Sequence, residues 1–526
     1  MPDVNIQTTI SPFTQEPVCT RPLLSSTQLD AVVAQAVKAQ KGWRKVPLEE
    51  RVAIAERWMA EFEKNTDLLA EDIALQMGRA RARSTAPSTA PATWSRLPRR
   101  RSPLFLRPRR TTRLTSATLS GSRSVLLCES PRMGPYFDLS PPLNSSRPAL
   151  VLTRDKRLDL ELQAPSISLL RFLVPSVHTD PSAITPWNFP HLTAVNSVLP
   201  ALLAGNAVII KPAPQTPVPA ERVLECFNTA GLPTNVLQVI HLSQQATLDL
   251  CADGRVNFVS FTGSVPGGRA VQEAAAHGKG FKGVGLELGG KDPAYVREDA
   301  DLKYTVANLV DGAFFNSGQS CCSVERIYVH SAVHDEFVAQ FAELTRKDYV
   351  LGDPMAEGTT LGPVVSLASA KRIRKQVADA VAAGATLLVG EAEFAGAKEG
   401  TTLVGPQVLT NVDHSMEVMT EETFGPVAAI MKVESDEEAL ALMNDSKYGL
   451  TASVWTNPDD AASIAVFNNF VEELEAGTVY LNRADALDPA VPWTGVKDTG
   501  RGYSLSVLGY GQLTQAKSVM MRVKLN

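Results

Sequence analysis

The 526-residue chain contains no run of about 18 uninterrupted apolar residues, which excludes a helical membrane span. Its first twenty residues hold neither Lys nor Arg, and no apolar segment follows, so neither a secretory signal nor a transit peptide is expected. The C-terminal Val-Lys-Leu-Asn is not a peroxisomal address. Cysteine is scarce as well: six residues in this length cannot build a disulfide scaffold, and a reducing cytoplasm is the expected compartment. What remains is ordinary globular composition, 44% hydrophobic and 20% charged. At about 150 residues per core, the length points to two to four domains.

Lysine is nearly missing from one stretch. Residues 79–157 hold 16 arginines and one lysine against three acidic residues, a local charge of +14 inside a chain of net charge −5. The rest of the chain therefore carries −19, which argues against nucleic acid or an anionic membrane as a partner.

Before that stretch the chain reads as helix. Ser26 and Thr27 can cap a run in which Leu29, Val33, Ala36 and Val37 recur at helical spacing, ending near Trp43. A second run extends from Leu48 to about Met77, with Ile54, Trp58, Phe62 and Leu69 as its apolar stripe, and Gly78 ends it. From 79 to about 180 the pattern is lost. Arg, Ser and Pro dominate, no period of 2 or 3.6 persists, and Pro recurs too often for long elements. Three readings compete for this segment: an RNA-binding insert, a solvated loop, or out-of-frame or unspliced GC-rich coding text, the last being favoured. Periodicity returns at Pro181. Short apolar runs (207–210, 236–242, 256–261) alternate with helical segments, and the rhythm continues past 290. Two α/β layers in series, each with a parallel sheet, are the expected architecture.

Four places carry chemistry. Phe261-Thr262-Gly263-Ser264-Val265-Pro266-Gly267-Gly268 stands where a strand hands over to a helix; small residues there admit a phosphate to backbone N–H groups. It is not the G-x-G-x-x-G fingerprint, and a plain turn gives the same text. Gly318-Gln319-Ser320-Cys321-Cys322 places two thiols after a helix, either a small buried pair or a nucleophile. Glu287, in Leu286-Glu287-Leu288-Gly289-Gly290-Lys291, is either a solvent-facing strand end or a desolvated general base. Trp187-Asn188-Phe189-Pro190 sets an amide among apolar residues, where a structural Asn is the plainer alternative.

Taken together these motifs resemble the aldehyde dehydrogenase family. Thr185-Pro186-Trp187-Asn188-Phe189-Pro190, Lys211-Pro212, Phe261–Ser264, Glu287–Lys291, Gly318–Cys321, Glu421-Glu422-Thr423-Phe424-Gly425-Pro426 and Asn444…Tyr448-Gly449-Leu450 fall in the family's order across 184–526. The resemblance implies a Rossmann-like cofactor domain and a second α/β catalytic domain, with no metal. It implies Cys321 as nucleophile, Glu287 as general base, and Asn188 with the Cys321 N–H as oxyanion donors. Thr185, Trp187, Lys211, Gly263, Ser264, Gly268, Glu422 and Phe424 would hold NAD or NADP. Cys322 receives no role. The implied organisation is a helical part at 1–78, the irregular segment at 79–180, a cofactor-binding domain at 181–289, a catalytic domain at 290–485, and a C-terminal loop and oligomerisation strand at 486–526. Expected partners are a small aldehyde and further copies of the chain, through a strand at 517–523.

Two departures qualify the resemblance. Pro214 occupies a slot where many NAD-preferring members carry a Glu, which leaves NADP open. The irregular segment displaces the family's first cofactor-domain strand, of which only Ala183-Ile184-Thr185 looks like a remnant. A sheet without its central strand would leave unpaired backbone groups, each costing about 1–3 kcal/mol. A catalytically impaired protein is therefore the alternative to an active enzyme. Arg483 is either a carboxylate anchor or a solvent-facing residue.

Overall fold

The computed structural model describes residues 5–81, 169–176 and 181–522. Most of the basic stretch read at 79–180 thus lies outside the described residues. By its contacts the chain divides into a large unit, 1–99 with 175–517, and a small one, 100–174 with 518–526. A two-stranded sheet pairs Leu169–Ser176 with Gln515–Arg522. Everything that follows belongs to the large unit.

The chain opens with a hairpin, Ile6–Ile10 against Pro17–Pro22, that periodicity does not announce. Helix Ser26–Trp43 is capped by Ser25, one residue earlier than expected. Ser25 accepts from the Gln28 N–H while the Gln28 side chain reaches back to the Ser25 N–H. The second helical run is two helices, Leu48–Lys64 and Thr66–Met77, broken at Asn65, whose φ of −98° and ψ of 13° leave the helical region. Gly78 closes the run in the left-handed conformation at φ 84°. Arg79 and Ala80, beyond it, are buried.

Two sheets follow. The six-stranded sheet has the order Gly500–Arg501, Gly283–Glu287, Phe258–Thr262, Pro181–Ile184, Val208–Lys211, Leu237–Val239. The expected gap at its centre is not found. Strand Pro181–Ile184 is short, but it pairs in parallel on both sides: Ala183 stands opposite Ile210 on one neighbour and Ser260 on the other. The physical basis of the impaired alternative, an unpaired central edge, is removed. Strand Val208–Lys211 is buried throughout and reads as a continuous apolar run for that reason. Helices Leu48–Lys64 and Pro217–Thr229 cover one side, where the Trp58 and Phe227 rings stack at 4.7 Å and 11°.

The chain order reverses between Pro181–Ile184 and Phe258–Thr262. This is a topological switch point, and the crevice beyond its carboxyl ends is where α/β sheets take ligands. The residues there are Thr185–Asn188 on one side and Gly263–Ser264 on the other.

The seven-stranded sheet runs Thr386–Val389, Gln407–Thr410, Val427–Val433, Val324–His330, Asp292–Val296, Thr451–Trp455, Thr478–Leu481. Two apolar clusters flank it, one around Phe314, Phe337 and Phe341, the other around Tyr295, Ile373 and Phe470. Helix Leu302–Phe314 leads straight into the thiol-bearing turn. Among the described residues no helix is long and apolar enough to cross a membrane.

Candidate active site

The turn that leads to Cys321 is a strained piece of backbone. Asn316, Ser317 and Gly318 are all left-handed, at φ 54°, 59° and 66°. For the two non-glycine residues this costs about 1–3 kcal/mol each, so the surroundings must impose it. They do so through hydrogen bonds. Ser317 Oγ donates to Gly362 O at 2.8 Å, and Asn316 Nδ2 donates to Gln319 O at 3.0 Å. Gln319 Oε1 accepts from Val365 N at 2.7 Å. Cys321 emerges from this turn against Gly290, where a Cβ would stand 2.1 Å from the Cys321 carbonyl oxygen. Only glycine allows the strand that carries Glu287 to come so close.

Cys321 and Glu287 wall one cavity of about 390 Å³, together with Cys322, Thr262, Arg79 and an apolar lining that includes Phe189, Phe315 and Trp493. The Cys321 thiol is held well above the usual thiol range by the adjacent Cys322, by burial, and by the carboxylates of Asp292 and Glu287. Burial raises the Glu287 carboxyl, opposed by Ser504 Oγ donating to Oε1 at 2.6 Å and Thr262 Oγ1 to Oε2 at 3.5 Å. Asn188 is 5% exposed and does not line the cavity. One of its amide hydrogens is spent on Gln319 O at 3.2 Å, and no described residue takes the second. Arg483 is exposed at the cavity wall.

The remaining expected site residues lie outside that cavity. Thr185 ends the central strand, its N–H donating to Lys211 O at 3.2 Å. Lys211 is 8% exposed, burial lowers its pKa, and no described residue accepts a hydrogen bond from its ammonium. Ser264 caps helix Val265–His277 by accepting from Gly267 N at 3.3 Å. Gly268 packs on Leu288, where a Cβ would stand 2.5 Å from Cδ2. The edge of Trp187 meets Phe424 at 5.4 Å and 74°. Glu422 Oε1 accepts from Gly290 N at 3.0 Å; burial and the Glu325 charge push its carboxyl up to about 7. The residues fit a dinucleotide: a largely buried lysine whose ammonium no described residue takes, a helix start with close-packed glycines, and a carboxylate able to take ribose hydroxyls.

Two positioning features escape a reading of the sequence. Phe424 is left-handed at φ 49°, and Glu325 holds that turn. Its oxygens accept from Thr423 N and Phe424 N, both at 2.8 Å, and Oε2 also takes the buried Lys291 ammonium at 2.6 Å. Arg79 reaches the main-chain oxygen of Asn188 and the side chain of Asn316. Its place in an arginine-rich run conceals this.

A sequence profile of the aldehyde dehydrogenase family matches residues 3–93 and 181–519, the greater part of the chain. The chain belongs to the aldehyde dehydrogenase family. The interruption, 94–180, spans most of the Arg/Ser/Pro-rich stretch. The succinate-semialdehyde dehydrogenase [NADP(+)] of Deinococcus radiodurans is 31% identical over 513 residues, 97% of this chain and 94% of that one. An aldehyde dehydrogenase of Paenarthrobacter nicotinovorans is 38% identical over 338 residues, 64% of this chain and 71% of its own. The crystal structure of an aldehyde dehydrogenase from Brucella melitensis biovar abortus 2308 superposes with a TM-score of 0.80 at 25% identity, covering 99% of this chain and 95% of that one. Membership makes the chain an oxidoreductase of aldehydes that works with NAD or NADP.

Proposed function

We propose that the aldehyde is oxidised while covalently attached to Cys321. The observation that carries this reading is the shared cavity: a thiol and a desolvated carboxyl line one space large enough for a small aldehyde. The Cys321 thiol gives up its proton to solvent, and its sulfur attacks the aldehyde carbon. The carbonyl oxygen becomes an alkoxide, which accepts from the Cys321 N–H and the second Asn188 amide hydrogen. Such a donor is worth about 3–4 kcal/mol of transition-state stabilisation. A bound nicotinamide supplies the acceptor for the hydride that then leaves carbon. The acyl group remains on sulfur as a thioester. Glu287 takes a proton from water, the hydroxide adds to the acyl carbon, and the Cys321 thiolate departs, releasing the carboxylic acid.

The residues at the switch point hold the cofactor in this reading. Lys211 reaches the adenosine ribose, Gly263, Ser264 and Gly268 the pyrophosphate, and Glu422 the nicotinamide ribose, with Thr185, Trp187 and Phe424 around the ring. Residues 1–78 and 181–289 serve as the cofactor-binding part, 290–485 as the catalytic part and 486–526 as the C-terminal loop and strand. The protein works in the cytoplasm, as a homo-oligomer assembled through its C-terminal strand. Purified enzyme, mixed with NAD⁺ or NADP⁺ and a panel of short aldehydes, is expected to produce reduced dinucleotide, and Cys321→Ala is expected to abolish it. Turnover retained by Cys321→Ala removes that sulfur from the mechanism.

A further inference from the structure

The first arginine of the basic run is unlike a surface residue. Arg79 is 4% exposed, and no described carboxylate pairs with it; burial alone draws its pKa down to about 9. A guanidinium removed from water without a counter-ion depends on the acceptors it finds. Arg79 finds two, on different segments. Nη2 donates to the Asn188 main-chain oxygen at 2.5 Å, and Nε donates to Asn316 Oδ1 at 3.0 Å. Its plane lies over the Phe189 ring, with Cζ 4.4 Å from the centroid. Asn316 closes the loop, donating from Nδ2 to Asn188 O at 3.4 Å and to Gln319 O at 3.0 Å. That Gln319 oxygen is the one that takes the Asn188 amide.

The fork therefore bridges the turn bearing Asn188, which leaves the six-stranded sheet, and the left-handed bend that leads to Cys321. We propose that Arg79 is the positioning residue of the oxyanion pocket, fixing the Asn188 peptide against the bend that delivers Cys321. It rests on the reading of Asn188 as an oxyanion donor. The planar fork explains why an arginine stands here, since a lysine offers a point charge and cannot hold two acceptors at a set angle. The strain at Asn316 and Ser317 explains why a buried cation is retained at all: without an outside tie the bend has a lower-energy alternative.

The test is a double-mutant cycle in the full-length enzyme, read as kcat and KM for the aldehyde. Arg79→Gln is expected to lower kcat about 100-fold, the effect of an ångström of misplacement, with KM little changed. Asn188→Ala alone is expected to lose on the order of 100-fold in kcat. The double variant is expected to be no slower than Asn188→Ala, because nothing is left to position. If Arg79→Gln does not fold, the same cycle with Arg79→Lys decides by the same outcomes. Losses that multiply in the double variant, or a loss confined to KM, overturn the proposal, as does a folded Arg79 variant with wild-type kcat. Wild-type kcat in Asn188→Ala shows instead that the oxyanion reading itself has failed, and the role of Arg79 falls with it.

Discussion

Ser504 Oγ donates to Glu287 Oε1 across 2.6 Å, tying the C-terminal segment to the carboxyl that faces Cys321. Burial favours the neutral acid, whereas this hydrogen bond and the longer one from Thr262 favour the carboxylate. The pH at which Glu287 ionises depends on that balance, and on a residue 217 positions away in the chain.

Removing the donor should show which side the hydrogen bond supports. Ser504→Ala loses a bond to a charged acceptor, worth about 1.5–3 kcal/mol. At 1.36 kcal/mol per pH unit, that corresponds to roughly one to two units. Because the lost bond stabilised the ionised form, the Glu287 pKa rises further, and the acid limb of the kcat profile moves to higher pH. Activity falls most at low pH and recovers on the alkaline side. Profiles of the variant and the wild type that share one acid limb contradict the assignment.

The Lys291–Glu325 pair is fully buried, with side chains 0% and 2% exposed. Glu325→Gln leaves the Lys291 ammonium without a counter-charge, at a cost of about 3–5 kcal/mol. It also removes an acceptor from the Thr423–Phe424 turn. The expected result is a lower midpoint in urea and a smaller thermal shift on adding dinucleotide. A variant as stable as the wild type shows that this turn is held by other contacts.

Cys322 raises the Cys321 thiol rather than assisting it. Cys322→Ala is therefore expected to increase the fraction of Cys321 thiolate at neutral pH. Iodoacetamide labelling at pH 7, followed by peptide mass spectrometry, should modify Cys321 faster in the variant. An equal or slower rate contradicts the electrostatic account.

Much of this site is legible in the sequence because its chemistry restricts residue type. A thiol after a helix, a carboxylate among apolar strand residues and glycines at a strand end are each ambiguous. Together they point to a mechanism. The parallel strands are legible too, since burial on both faces removes polar alternation. The positioning shell is not. Glu325 looks like the polar start of a strand, and its bonds to Thr423 and Phe424 cross 98 and 99 positions. Arg79 shares the composition of the run it begins, and only its contacts with Asn188 and Asn316 set it apart. The N-terminal hairpin is silent for a related reason. Its Thr9 hydroxyl finds its acceptor, Pro214 O, 205 residues away, which no local period encodes.

Covalent attachment at Cys321 is tested most directly by blocking the step after it. Glu287→Gln cannot activate water. Mixed with aldehyde and NAD⁺ or NADP⁺, it should release one equivalent of reduced dinucleotide per active site and then stop. The peptide containing Cys321 should carry the mass of the acyl group. Continued turnover at the wild-type rate, or an acyl mass on any other residue, would contradict the account.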